Sequence, residues 1–306
     1  MLPFPLVFHD GYDLHFGDHV FPTAKYRLIR RKLLDDLFAG PEDFLTPEPA
    51  TREQLLLVHT PEWVRKLETG TLTYHDILKL EVPYSRKMVD AYFLAAGGTI
   101  LAARHALAKG LGYNIGGGFH HAFAGYGEGF CAVHDVAVAI RTLQQEGLIR
   151  TALIVDGDVH HGNGTAAIFA GDRSVFTLSI HHFNNYPTEK PPSSIDIHLA
   201  DATGDKEYLD HLRPAYETAV SGFRPDIVFF VAGSDPYYDD QLGGLSLTRE
   251  GLFLRDRLVF DIALQRHIPV VVTLAGGYAR RLEDTVELHA ATARAALESL
   301  QEWKSW

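Results

Sequence analysis

Cysteine is nearly absent from this chain of 306 residues: Cys131 is the single one, so no internal disulfide can form and a reducing compartment fits. Long apolar runs are missing as well, and no stretch approaches the ~20 residues that a membrane-spanning helix needs. The opening residues, MLPFPLVFHDGYD, carry no basic segment ahead of their apolar positions and do not read as a secretory leader. Positive charge is scarce, with 28 Lys and Arg against 39 Asp and Glu. The resulting formal charge of -11 disfavours nucleic acid and anionic membrane surfaces and suits a cationic substrate. No Pro/Gly/Ser-rich linker divides the sequence. These absences predict a cytoplasmic protein built as one domain over residues 1–306, and they leave its oligomeric state open.

What is present is a hydrophobic content of 46%, enough for one large core. Short apolar runs alternate with segments of helical periodicity. Strands are expected at Pro5 to Phe8, Ala152 to Val155, Val175 to Ile180, Asp226 to Val231 and Pro269 to Leu274. Helices are expected at Pro22 to Phe38, from Thr60-Pro61, and over Tyr84 to Lys109, His134 to Gln145 and Gly162 to Ala170. Three more are expected at Glu207 to Val220, Thr248 to Leu264 and Thr285 to Leu300. Thr51 with Gln54 has the spacing of a capping box. This alternation predicts an α/β fold with three layers: a mostly parallel central sheet and helices on both faces.

The stretch Thr151 to Thr165, TALIVDGDVHHGNGT, carries the clearest chemical signal. A doubly buried strand stops abruptly in acidic and imidazole side chains, and in open α/β sheets ligands bind outside the carboxyl ends of the strands. Asp158 and His160 are spaced i, i+2, on one side of an extended segment, where they can meet one ion. The strand at Asp226 to Val231 brings Asp235 to the same edge. Two carboxylates and an imidazole with an open position make a catalytic zinc site, although each aspartate alone is also an ordinary turn residue. Gly116-Gly117-Gly118 before Phe119-His120-His121 implies a sharp bend or a close approach of backbone, and the last strand leads into Gly276-Gly277-Tyr278.

The segments GGGFHHA (116–122), GFCAVHDVAVA (129–139), DGDVHHGNGT (156–165), AGSDPYYDDQLGGLSL (232–247) and LAGGYAR (274–280) together resemble the zinc-dependent histone deacetylase superfamily, with its arginase-like α/β fold. The wording is most similar to the class IV branch; acetylpolyamine amidohydrolases and acetoin-utilisation proteins are bacterial relatives. The resemblance implies one Zn2+ held by Asp158, His160 and Asp235. It implies His121 as general base beside His120, with Asp156 and Asn163 as the partners of the two histidines. Asn163 stands where class I members have a carboxylate, so His121 is expected to be less basic. Tyr278 would donate its hydroxyl to the developing oxyanion. Gly118, Phe119, Gly129, Phe130, Tyr186 and Gly276 match the acyl-lysine tunnel, and Asp156, Ser179 and Ile180 match a K+ site behind the zinc.

The implied activity is removal of acetyl or longer acyl groups from lysine, with an acetylated polyamine or another small amide as the alternative substrate. An arginase-type ureohydrolase shares the fold but needs a second metal, for which His161 and the SDP segment supply no further ligands. A catalytically silent acyl-lysine binding module would be expected to have lost Tyr278 or a histidine, and all are present.

Overall fold

The computed structural model describes residues 1–303. Eight strands form one sheet: β1 (Leu6–Val7), β2 (Phe44–Leu45), β3 (Leu111–Asn114), β4 (Ala152–Asp156), β5 (Val175–His182), β6 (Ile195–Leu199), β7 (Ile227–Val231) and β8 (Val270–Thr273). Their spatial order is β2-β1-β3-β8-β7-β4-β5-β6, and every pairing is parallel, where the sequence predicted a mostly parallel sheet. The central strands β4, β7 and β8 read ALIVD, IVFFV and VVVT, and each of their residues is buried. Side chains alternate along a strand, so continuous burial means that both faces are covered. Burying each Val, Ile, Leu or Phe contributes roughly 1.5–3 kcal/mol, which makes this centre the rigid part on which loops can be fixed.

The expected helices appear with adjusted ends. Thr51 and Gln54 do form a reciprocal capping box, Thr60 caps Pro61–Thr69, and Ser85 caps Arg86–Lys109. The first long helix begins at Lys25 and ends at Asp35, short of Phe38, because Leu37 takes a positive φ and leaves the helical path. Several elements escaped the sequence reading. Strands β2 and β6 are edge strands only partly buried, with little apolar alternation, and the helix Tyr74–Leu80 follows a capping box, Thr73 with Asp76. Strand β5 runs two residues further than expected, so His181 and His182 lie within it and pair in register with His198 and Leu199.

The glycines at 97 and 98 allow close packing of their helix. A Cβ at Gly97 would collide with the Glu48 carbonyl, and one at Gly98 with the Tyr12 hydroxyl. Tyr12 itself is buried and donates to Asn114 Oδ1 at 2.8 Å, which plugs the early polar loop beneath the end of β3.

Candidate active site

Four loops carry the chemistry, and they follow the four neighbouring strands β3, β8, β7 and β4. Because all strands run parallel, the loops emerge at one edge of the sheet. After β3 the chain bends through Gly117 and Gly118, at φ 69° and 84°. A Cβ at Gly118 would stand 2.7 Å from Ala275 N, so glycine is required for this loop to lie against the end of β8. Buried Asp135 accepts from the N–H groups of Gly118 and Phe119, at 3.0 and 2.8 Å, and holds the bend. Arg255, 1% exposed, does the same for the other pair of loops: its guanidinium donates to Gly157 O (2.9 Å) after β4 and to Gly233 O (2.7 Å) after β7.

Asp158, His160 and Asp235 place ligand atoms within 4.8 Å of one another. Asp158 and His160 do not meet through the i, i+2 spacing of an extended segment. Strand β4 ends at Asp156, and Asp158 to His160 form a bend instead of an extended segment. The two side chains meet because that bend folds His160 back, with its Nδ1 2.9 Å from Asp158 Oδ1. Two of the carboxylate oxygens are fixed by backbone: Asp235 Oδ1 accepts from Val159 N–H and Asp158 Oδ2 from Gly276 N–H, each at 2.8 Å. Asp235 Oδ2 is buried with no hydrogen-bond donor. Burial and then the neighbouring Asp158 push the Asp235 pKa up to about 6. The nearest nitrogen to that oxygen is His160 Nδ1 at 3.3 Å. Two buried carboxylates and an imidazole crowded at one point, with one carboxylate oxygen lacking a hydrogen bond, are unfavourable unless a cation meets them, so this donor set fits a divalent metal.

The two histidines of the β3 loop lie with ring centroids 4.0 Å apart and their planes tilted by 47°. His120 Nδ1–H donates to Asp156 Oδ2, and His121 Nδ1 lies against Asn163 Oδ1, both at 2.7 Å. Burial alone would lower both pKa values. Asp156 and Asp158 outweigh it at His120 and push that ring up to about 9. His121 is held well below the ordinary imidazole range by burial, then by His120 and His160. Two imidazolium rings this close repel each other, so the aspartates decide which one carries the charge.

A cavity of about 220 Å³ opens beside these groups, lined by His121, His160, Gly129, Phe130, Tyr186 and Tyr278 among others. Gly129 and Phe130 both have positive φ, at 51° and 66°, and the Tyr92 hydroxyl donates to the Phe130 carbonyl. Tyr186 stands edge-on to His121 at 5.0 Å between ring centroids. Phe119 is placed otherwise: it packs edge-on against Tyr92 at 4.7 Å, behind the wall. Gly118 also lies behind, against Ala275, and Gly276 touches the aspartates. Ser179 and Asp156 are register partners on β5 and β4, and Ser179 Oγ is hydrogen-bonded to His181 Nδ1 at 2.9 Å. Ile180 is fully buried between Ser179 and His181 on β5.

A second grouping brings together His161, His181 and Asp196, whose side chains already make hydrogen bonds. His161 Nε2 meets Asp196 at 3.2 Å, and His181 Nε2 meets His198 at 2.8 Å. Near the first site, Asp240 accepts from the N–H groups of Leu242, Gly243 and Tyr278, and Asp239 faces Arg280 at 3.4 Å. These carboxylates therefore serve backbone and surface contacts.

Sequence reasoning passed over four residues that shape this region: Lys25, Glu128, Asp240 and Arg255. Buried Lys25 donates to Ala275 O at 2.6 Å, with its ammonium 5.9 Å from the Tyr278 ring centre. Burial lowers its pKa to about 8 against the raising influence of Asp235, Asp158 and Asp240. The signal available for Lys25 and Arg255 was a charged residue at an inward-facing position of an amphipathic helix.

Among the described residues, no helix is long and apolar enough to cross a membrane. Residues 19–293 match the histone deacetylase domain. The chain is 43% identical over 294 residues to an uncharacterised protein of Picosynechococcus sp., covering 96% of this chain and 98% of that one. It is 31% identical over 299 residues to Histone deacetylase 2 of Arabidopsis thaliana, covering 92% and 77% of the two chains. Its fold is similar to the crystal structure of the HDA15 HD domain, with a TM-score of 0.79 at 26% identity, over 97% of this chain and 90% of that one. A domain match along most of the sequence and an all-parallel sheet shared with a solved member lead to one conclusion: this chain belongs to the histone deacetylase family, whose members are amide-cleaving hydrolases.

Proposed function

We propose that the protein is a zinc-dependent deacylase that cleaves the amide of an acylated lysine side chain, with the whole chain forming one catalytic domain. The observation that carries this reading is the buried Asp235 Oδ2, which accepts no hydrogen bond, beside Asp158 and His160, with His160 reaching the wall of a cavity that His121 and Tyr278 also line. When bound by these three residues, zinc would polarise the substrate carbonyl and lower the pKa of a water.

The chain's own groups supply the rest. His121, held neutral, accepts a proton at its free Nε2, and its Nδ1 is engaged by Asn163. His120, held positive by Asp156, supplies a fixed charge next to the reacting centre. Tyr278, whose pKa is raised by burial and then by Asp158 and Asp235, keeps its proton and donates it as a hydrogen bond to the carbonyl oxygen. Gly129, Phe130 and Tyr186 line the cavity and would flank a methylene chain, with the Gly129 carbonyl accepting from the substrate N–H. Asp156, Ser179 and the Ile180 carbonyl would hold a structural potassium ion on the far side. A single buried cysteine, Cys131, suits a reducing, cytoplasmic setting.

Glu81 at the cavity wall, with its pKa raised by burial and by Glu128, favours acetylated polyamines as the second reading, because a cation would relieve that carboxylate pair. The test is acid release from a panel of acyl-lysine peptides and acetylpolyamines, with zinc-loaded protein and a chelated control. Zinc-dependent cleavage with a preference for peptides supports the first reading. Absence of cleavage across the panel with zinc bound would remove the hydrolase assignment.

A further inference from the structure

The His121 ring has a neighbour beyond Asn163. Asn163 Nδ2 donates to Glu128 Oε1 at 2.8 Å, and the same oxygen accepts from the Tyr186 hydroxyl at 3.0 Å. Glu128 directly precedes Gly129 and Phe130 of the cavity wall and is half-buried between the cavity and a shallower groove. These contacts settle which way the Asn163 amide points. A carboxylate oxygen only accepts, so the amide group facing it must be the NH2. The amide oxygen therefore faces His121, and it also accepts from Gly164 N–H at 3.0 Å.

An oxygen that only accepts, placed 2.7 Å from His121 Nδ1, requires that nitrogen to carry the hydrogen. In a neutral ring the other nitrogen, Nε2, is then bare. We infer that Glu128 is a positioning residue: acting through the Asn163 amide, it fixes His121 in the Nδ1–H tautomer and leaves Nε2 free to take a proton. The cavity wall and the base are thereby joined at one carboxylate oxygen, since Tyr186 hangs from the same atom. Burial and then Glu128 raise the Tyr186 pKa, so its hydroxyl stays a donor in this arrangement.

The catalytic meaning of this tautomer rests on the deacylase reading above; the tautomer itself does not. It is read directly from the ring 15N shifts of histidine-labelled protein, with and without zinc, assigned through His121→Gln. The expected result is His121 protonated on Nδ1 in the wild type and in Tyr186→Phe, and a mixture of tautomers in Glu128→Ala. Turnover should follow the shifts. Glu128→Ala lowers kcat by about ten-fold or more, the range typical for losing a partner of this kind, and Glu128→Gln recovers most of it because its carbonyl can still accept from Asn163. In an Asn163→Asp background His121 has a carboxylate of its own, and Glu128 now faces another anion. Removing Glu128 should there raise kcat instead of lowering it.

An unchanged His121 tautomer in Glu128→Ala would overturn the inference, as would the same fold-loss of kcat in both backgrounds. A wild type that turns nothing over while His121 carries its proton on Nδ1 would defeat the deacylase reading and leave the tautomer assignment standing.

Discussion

Gly276→Ala tests whether the three-residue donor set is a metal site. Gly276 lies outside the left-handed backbone region, so alanine introduces no φ strain. Its Cβ would stand 2.6 Å from Asp158 Oδ2 and 2.8 Å from Asp235 Cγ, and nearer still to Asp235 Oδ2. Ordinary C···O approaches are ~3.3–3.6 Å, so Asp158 must retreat by roughly 0.7–1 Å and Asp235 by more. A metal site tolerates displacements of only ~0.2 Å in its ligand distances. Metal affinity should therefore fall by at least about 100-fold, the upper end of what losing an outer-shell partner does, equivalent to roughly 2.7 kcal/mol.

The assay is competition for zinc against a chromophoric chelator, accompanied by thermal melting. In the wild type, zinc at about 1,000 times its Kd should add roughly 4 kcal/mol of stability, and most of this gain should vanish in the variant. The metal-free proteins should both remain folded, with superimposable circular dichroism. Zinc affinity within about three-fold of the wild type, in folded Gly276→Ala, would refute the reasoning.

Tyr278→Phe should bind zinc as the wild type does and lose about 10²–10³-fold in kcat, the effect of removing one oxyanion donor; undiminished turnover would take Tyr278 out of the mechanism. Arg255→Met leaves Asp256 buried without its partner, a pair at 2.8 Å, and should lower unfolding free energy in urea by about 3–5 kcal/mol, with Asp256→Leu in the same chain recovering part of it. Stability should also depend on pH through buried His59, whose Nε2 accepts from His134 N–H at 3.0 Å. Burial lowers its pKa to about 4 against ~6.5 unfolded, so between these values only the unfolded chain takes the proton. Its contribution, up to about 3 kcal/mol, is fully present above pH ~6.5 and is lost as pH falls toward ~4. Urea midpoints that stay flat from pH 7 to 5 would contradict this.

Much of the architecture was legible because period and punctuation are local. ALIVD, IVFFV and VVVT can be nothing but doubly covered strands, and Thr51, Thr60 and Ser85 announce their helices by side-chain caps. The edge strands β2 and β6 were not legible, since a half-exposed strand beside a loop has no distinctive pattern. Asp158, His160 and Asp235 could be named as candidate ligands from residue type and from their positions after strands. That they share one point follows from β4 and β7 being neighbours, which is a property of strand order.

The sequence by itself determined the residue types, the strand ends that carry them and the glycines that let loops pass close by. A less basic His121 is expected from the family resemblance; only the tertiary structure decided what separates the two rings, burial and two aspartates that act on His120 across 35 or more residues of chain. It alone brought Glu128 to Asn163, and Arg255 to the carbonyls of two separate loops. Hydrophobic period is written into neighbouring residues. Protonation states and buried polar contacts depend on distances that exist only once the sheet has set its order.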